Sequence, residues 1–109
     1  MPIDLESRIE IWAAEVDALP GADYYMEVTN VLVIRDTIQD ALNAGQKLSS
    51  SFEILLRKAD DGLMAQREML VARFPEVFWP DRQNAGPRSC WWWFLNEGPH
   101  VREEAERAA

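Results

Sequence analysis

Few side chains in this sequence are of a kind that does covalent chemistry. Cys90 is the one cysteine and His100 the one histidine of the 109 residues. The pair is close enough in sequence to meet across a turn, and a Cys-His nucleophile needs only that the imidazole take the thiol proton. No nucleophile motif surrounds them, however, and "RSCWWWFLN" places the thiol among bulky apolar side chains, where inert burial is expected. Zinc calls for three or four Cys, His or carboxylate ligands, and the chain has only two soft or imidazole donors. "DDGLMAQREM" departs from a calcium loop because apolar residues follow the glycine at once. Glycine-rich phosphate loops, CxxC and GxSxG are all missing from the sequence.

Carboxylates do recur at helical spacing. Asp36 and Asp40 share a helix face, as do Asp60 and Met64, but such groups do acid and base work only where the environment separates their pKa values. On faces read as polar, these carboxylates are expected to be solvated. Tyr24, Tyr25 and Asn30 have the chemistry to enter a polar site, while "GADYYMEV" equally reads as a helix entry with aromatics near the turn. No catalytic residue, metal or cofactor is assigned, and the chain reads as a binding protein before an enzyme.

The aromatic residues point the same way. Seven of the eleven Phe, Tyr and Trp residues lie at or after position 74, and three of them are the consecutive Trp91, Trp92 and Trp93. On a helix, three successive side chains span about 200° of the surface; on a strand they alternate between faces. Either geometry requires a second layer, supplied by the loop that carries Phe78 and Trp79 or by another molecule. If the loop folds back, the rings complete a small core. If it does not, Trp79, Trp91, Trp92 and Trp93 are anchors for a protein partner, since Trp is enriched at interface hot spots. Arg82 and Arg88 then form the rim, stacking on indoles or pairing with carboxylates. A tryptophan-lined pocket for a small ligand is the third use of the same rings.

Helices must position this stretch. Leu5, Ile9, Trp12, Val16 and Leu19 recur at the period of one apolar stripe, so a helix is expected over about 4–18, with Asp4 as its N-cap and Pro20–Gly21 as its stop. A second is expected over about 23–44, carrying Val28, Val31, Leu32, Ile34, Ile38, Ala41 and Leu42 and ending at "NAG". Its β-branched run "VTNVLVI" favours a strand on propensity alone, but the helical spacing continues through "RDTIQDAL". The third opens at "KLSSSFEILL", where Ser50 and Glu53 match a capping box. Phe52, Leu55, Leu56, Ala59, Leu63, Leu70 and Phe74 carry it to about residue 73, with Gly62 marking a bend, a close crossing or an exposed position. Residues 75–88 read as an irregular connection. Ser89 caps a fourth, short helix through Asn96, and the tail 100–109 is a solvated helix or frays. The expected fold is all-α: one domain over 1–109, a small bundle of three long helices and one short aromatic helix near the C-terminus.

Charge restricts the partners. Nineteen Asp and Glu against eleven Lys and Arg give a formal charge of −8 and a pI near 4.5. Residues 1–19 hold five acidic groups against the single Arg8, and carboxylates follow at 23, 27, 36 and 40. Nucleic acid and anionic membranes both call for a basic footprint and are disfavoured. No run reaches the roughly 18 apolar residues of a membrane span. "MPIDLESRIE" lacks the basic and apolar regions of a signal peptide, and a lone cysteine makes no internal disulfide, so a cytoplasmic setting is expected. The leading reading is a small acidic accessory or adaptor protein that binds another protein, or a second copy of itself, through the aromatic C-terminal surface. The alternatives are a small-ligand-binding or enzymatic domain with a tryptophan-lined pocket, and an acidic inhibitor of a nucleic-acid-binding protein.

Overall fold

The computed structural model describes residues 4–78 and 87–108. Every regular element among them is helical. Helix α1 (Leu5–Ala18) starts where the Asp4 carboxylate accepts the Ser7 amide at 2.7 Å. It buries Leu5, Ile9, Trp12 and Val16. A 3-10 turn, Leu19–Gly21, follows. Helix α2 (Tyr25–Asn43) contains the whole β-branched run, because its i, i+3 and i+4 positions, Val28, Val31 and Leu32, all become buried. Burial of that face outweighs the weak local preference for a strand. Gly45 closes the helix at φ 97°, a left-handed conformation that favours glycine, and donates its amide to Leu42 O.

Helix α3 (Ser50–Ala65) and helix α4 (Arg67–Arg73) replace the one long helix expected over this region. Gln66 leaves helical geometry at φ −95°, ψ 2°, and its side-chain amide donates to Val16 O near the end of α1 at 2.9 Å. The Ser50–Glu53 capping box does not form. Ser49, one residue earlier, is the N-cap, so Phe52 occupies the third helical position where the box needs a carboxylate. The break also falls four residues after Gly62. That glycine faces α1, and a Cβ there would lie 3.6 Å from Val16 Cγ1, which identifies the position as a helix crossing.

The expected fourth helix is two 3-10 turns, Trp91–Trp93 and Leu95–Glu97, divided at Phe94, whose φ of −121° is not helical. Another 3-10 turn, Pro75–Phe78, buries Val77 and Phe78. The tail forms helix α5 (Val101–Ala108), anchored by the buried Val101. Helix α1 packs against both α2 and α3, while the tryptophan turn lies between α2 and α5. One hydrophobic cluster runs from Leu5 to Val101 and includes all three consecutive indoles. The two layers that their geometry required are therefore α2 and α5.

Candidate functional site

The burial of three successive tryptophans creates a problem for their indole N–H groups, since a buried donor without a partner costs about 1–3 kcal/mol. On helix α2, Asp36 solves it for two of the three. Trp92 Nε1 and Trp93 Nε1 both donate to Asp36 Oδ1, each at 2.8 Å. The Arg35 guanidinium lies over the Trp92 ring, 4.6 Å from its centroid. Arg35 continues the network into the bundle: Nε and Nη2 donate to Asp60 Oδ1 and Oδ2 at 3.1 Å each, and Nη1 donates to Gln39 at 3.2 Å. Trp12 Nε1 completes it, donating to Asp60 Oδ1 at 3.0 Å.

The charges in this network are correspondingly enclosed, with Arg35 at 5% and Asp60 at 4% exposure. Solvation was the expectation for both Asp36 and Asp60, and both instead serve as acceptors inside the fold. Asp60 stands on α3 between Leu56, Ala59 and Leu63, all buried, so its place on the apolar stripe was visible in the spacing. Asp36 is half-buried, and desolvation raises its carboxyl above the ordinary aspartate value against the opposing pull of the two indole hydrogen bonds. The network spans α1, α2, α3 and the tryptophan turn, and its groups are mutually committed. It braces the molecule.

The residues singled out as partner anchors divide accordingly. Trp91, Trp92 and Trp93 are 3%, 0% and 1% exposed, so their rings pack inside this chain. Arg88 is exposed, pairs with Glu97 and sits 5.1 Å over the Phe94 ring. Trp79 and Arg82 lie outside the described residues. Cys90 is half-buried, and burial pushes its thiol upward, away from the thiolate that nucleophilic chemistry needs. His100 is exposed and meets Glu103 at 3.5 Å. Among the described residues no group of three His, Cys, Asp or Glu is placed to hold a metal ion, and no helix is long and apolar enough to cross a membrane.

Exposed apolar surface collects elsewhere. Among the described aromatic residues, Tyr24 and Tyr25 are the exposed ones, at 54% and 41%, and Met26 follows at 38%. The two tyrosine rings meet edge to face at 6.4 Å. Beside them, Glu15, Ala18, Leu19, Gly21, Ala22 and Glu27 line a cleft of about 290 Å³. Glu27 also accepts the Asp23 amide at 2.6 Å, fixing the start of α2. Two larger cavities, of about 340 and 540 Å³, take no described tryptophan as lining. Comparison of the chain with protein-family models, with curated proteins and with solved structures finds no match.

Proposed function

We propose that this chain is a small acidic accessory protein that binds a basic protein partner at the junction of α1 and α2. The observation that carries the reading is the run Tyr24, Tyr25 and Met26, exposed where the other described aromatic rings are buried or partly buried. Tyr and Met are enriched in protein interfaces, and tyrosine gives large contact area at low entropic cost. The anchors thus move from the tryptophans to the tyrosines, and the tryptophan turn supports recognition by holding α2 rigid. Carboxylates select the partner's sign: Glu15, Asp17 and Asp23 are exposed around this junction, where the one cation placed among the described residues, Arg73, is committed to Pro20 O and Ala22 O. The cleft between Glu15 and Glu27 has an apolar floor for the methylene stem of a lysine or arginine and acidic walls for its head.

Like charge opposes a second copy of the chain at this face, so a basic protein is the partner of choice, and a nucleic-acid-binding protein is one such class. Cytoplasmic action is part of the same proposal and rests on the lone cysteine.

The test is affinity capture from host lysate with the intact chain and with a Tyr24→Ser/Tyr25→Ser variant whose helicity is confirmed by circular dichroism. A specific basic protein, retained by the intact chain, lost by the variant and eluted by moderate salt, is the expected result. Equal capture by both, or partners that are acidic and salt-insensitive, would overturn the reading.

A further inference from the structure

The two tyrosines stand at one end of a longer exposed surface. Arg8 on α1 donates to Thr37 O on α2 at 3.5 Å, and the cleft beside the tyrosines joins Ala18 of α1 to Glu27 of α2. These two contacts set α1 and α2 side by side and antiparallel. Residues 8, 11, 15 and 18 recur at the three- and four-residue steps of one helix stripe, so Ile11 and Glu15 lie along α1 between the two contacts. Met26, Asn30, Val33 and Thr37 make the corresponding stripe on α2. Both stripes carry apolar side chains into solvent: Ile11, Met26 and Val33 are 40%, 38% and 38% exposed. With Tyr24 and Tyr25 they account for every large apolar side chain so exposed among the described residues except Ile54 on α3.

We infer that the α1–α2 face takes its partner as a single amphipathic helix, with apolar anchors along Ile11, Val33 and Met26 and basic residues at the Tyr24 end. The inference rests on the partner reading above and gives that partner its form. Ile11 and Ala18 are about 10 Å apart along α1 at 1.5 Å per residue. Two helical turns cover that length, which suits anchors at i, i+3 or i+4, and i+7 of a helix laid in a groove. An extended peptide has no sheet edge to join, because every regular element among the described residues is helical. Charge fixes the direction. At the Tyr24 end stand Glu15, Asp17, Asp23 and Glu27, and the one cation placed there among the described residues, Arg73, is committed to Pro20 O and Ala22 O. Arg8, the one cation of the two stripes, lies at the far end. A second copy of the chain offers no matching helix: α5 carries Glu103, Glu104 and Glu106 against Arg102 and Arg107, and Arg102 pairs with Asp61 and Glu106. An anionic bilayer is repelled by the same carboxylates that attract a basic helix.

The experiment titrates the isotopically labelled full chain with two synthetic peptides of about 15 residues, long enough for several helical turns, and follows backbone amide shifts. Both contain the same leucines, alanines, glutamines and lysines. In one, the leucines recur at helical spacing with the lysines toward one end; in the other, the order is shuffled. Saturable shifts at Ile11, Ala18 and Val33 are expected with the patterned peptide, about tenfold tighter than with the shuffled one. Ile11→Gln/Val33→Gln should weaken the patterned peptide about tenfold; both side chains are at the surface and glutamine is a good helix former, so helicity is retained. Equal binding of the two peptides, binding indifferent to the double variant, or no saturable shift at these positions would overturn the helix. Capture by the tyrosine variant reads the partner site separately. A partner lost by Tyr24→Ser/Tyr25→Ser and kept by Ile11→Gln/Val33→Gln would therefore overturn the helix and leave the site standing.

Discussion

Asp60 and Asp36 illustrate how differently two aspartates can be used one helix apart. Asp60 sits at 4% exposure with both oxygens on Arg35 and one shared with Trp12. Removing one partner of a buried ion pair leaves the other uncompensated, at a cost of about 3–5 kcal/mol. Asp60→Ala should therefore lose about that much in urea unfolding, whereas the joint change Arg35→Met/Asp60→Leu should recover part of it, because no buried charge is left alone although Trp12 Nε1 still loses its acceptor. Asp36 carries two indole donors on one oxygen. Its carboxyl is raised in the folded state by burial, so folding favours its protonated form. That contribution is complete below the ordinary aspartate pKa and is lost as pH rises through the folded value. Asp36→Asn keeps an oxygen for the indoles and removes the titration. Wild type should thus gain stability relative to Asp36→Asn as pH falls from 7 toward 4, measured by paired urea titrations; a constant or opposite difference would remove Asp36 from the account. Asp60, expected to be solvated, has the spacing of a stripe position between Leu56 and Leu63, the one local signal of its burial. Asp36 has no such signal, since its partners lie 56 and 57 residues away and local spacing carries no information about such contacts.

Elements were readable where a single periodic apolar face enters the core. The stripe of α1 and its Asp4 cap are local features, and both stand in the fold. Two boundaries were decided by tertiary contacts instead. The long third helix breaks because Gln66 reaches Val16 O across the bundle, and the tryptophan segment forms 3-10 turns because its rings must enter layers on both sides. The tight turns distribute the three side chains around the axis, at about 120° per residue. Their burial predicts that Trp92→Ala costs about 3–5 kcal/mol by loss of apolar contact and cavity formation, visible as a lowered urea midpoint. A variant that stayed as stable as wild type would return that ring to the surface. Gly62 tests the α1–α3 crossing in the opposite direction. The 3.6 Å approach to Val16 Cγ1 is ordinary van der Waals contact, so a methyl group fits without displacement. Gly62→Ala should stabilise the fold by about 0.5–1 kcal/mol through helix propensity alone. A loss of stability would mean that the helices cross more closely than this spacing.

On the scale of the whole molecule, stability and recognition make opposite demands on the same carboxylates. On the proposed reading, exposed acids on α1 and α2 would attract a basic partner, and they also repel one another within a chain of net charge −8. Compensation by surface pairs is small: Arg88–Glu97 and Arg102–Asp61 each join an exposed partner, and such pairs contribute little. The Arg35–Asp60 pair is enclosed and therefore little affected by salt. Added sodium chloride should consequently relieve more repulsion than attraction. Raising it from low to near-physiological concentration and above is expected to increase stability by on the order of 1 kcal/mol, a rise of roughly 4 °C in Tm for a domain of this size. The same addition should weaken capture of a basic partner, since both effects come from screening the same charges. Calorimetry of the chain alone and binding of the captured partner across one salt series would read the two trends together. Opposite slopes would tie acidity to recognition at a cost in stability, whereas a Tm that falls with salt would show that attractive surface pairs, and not the acidic faces, dominate the electrostatics of the fold.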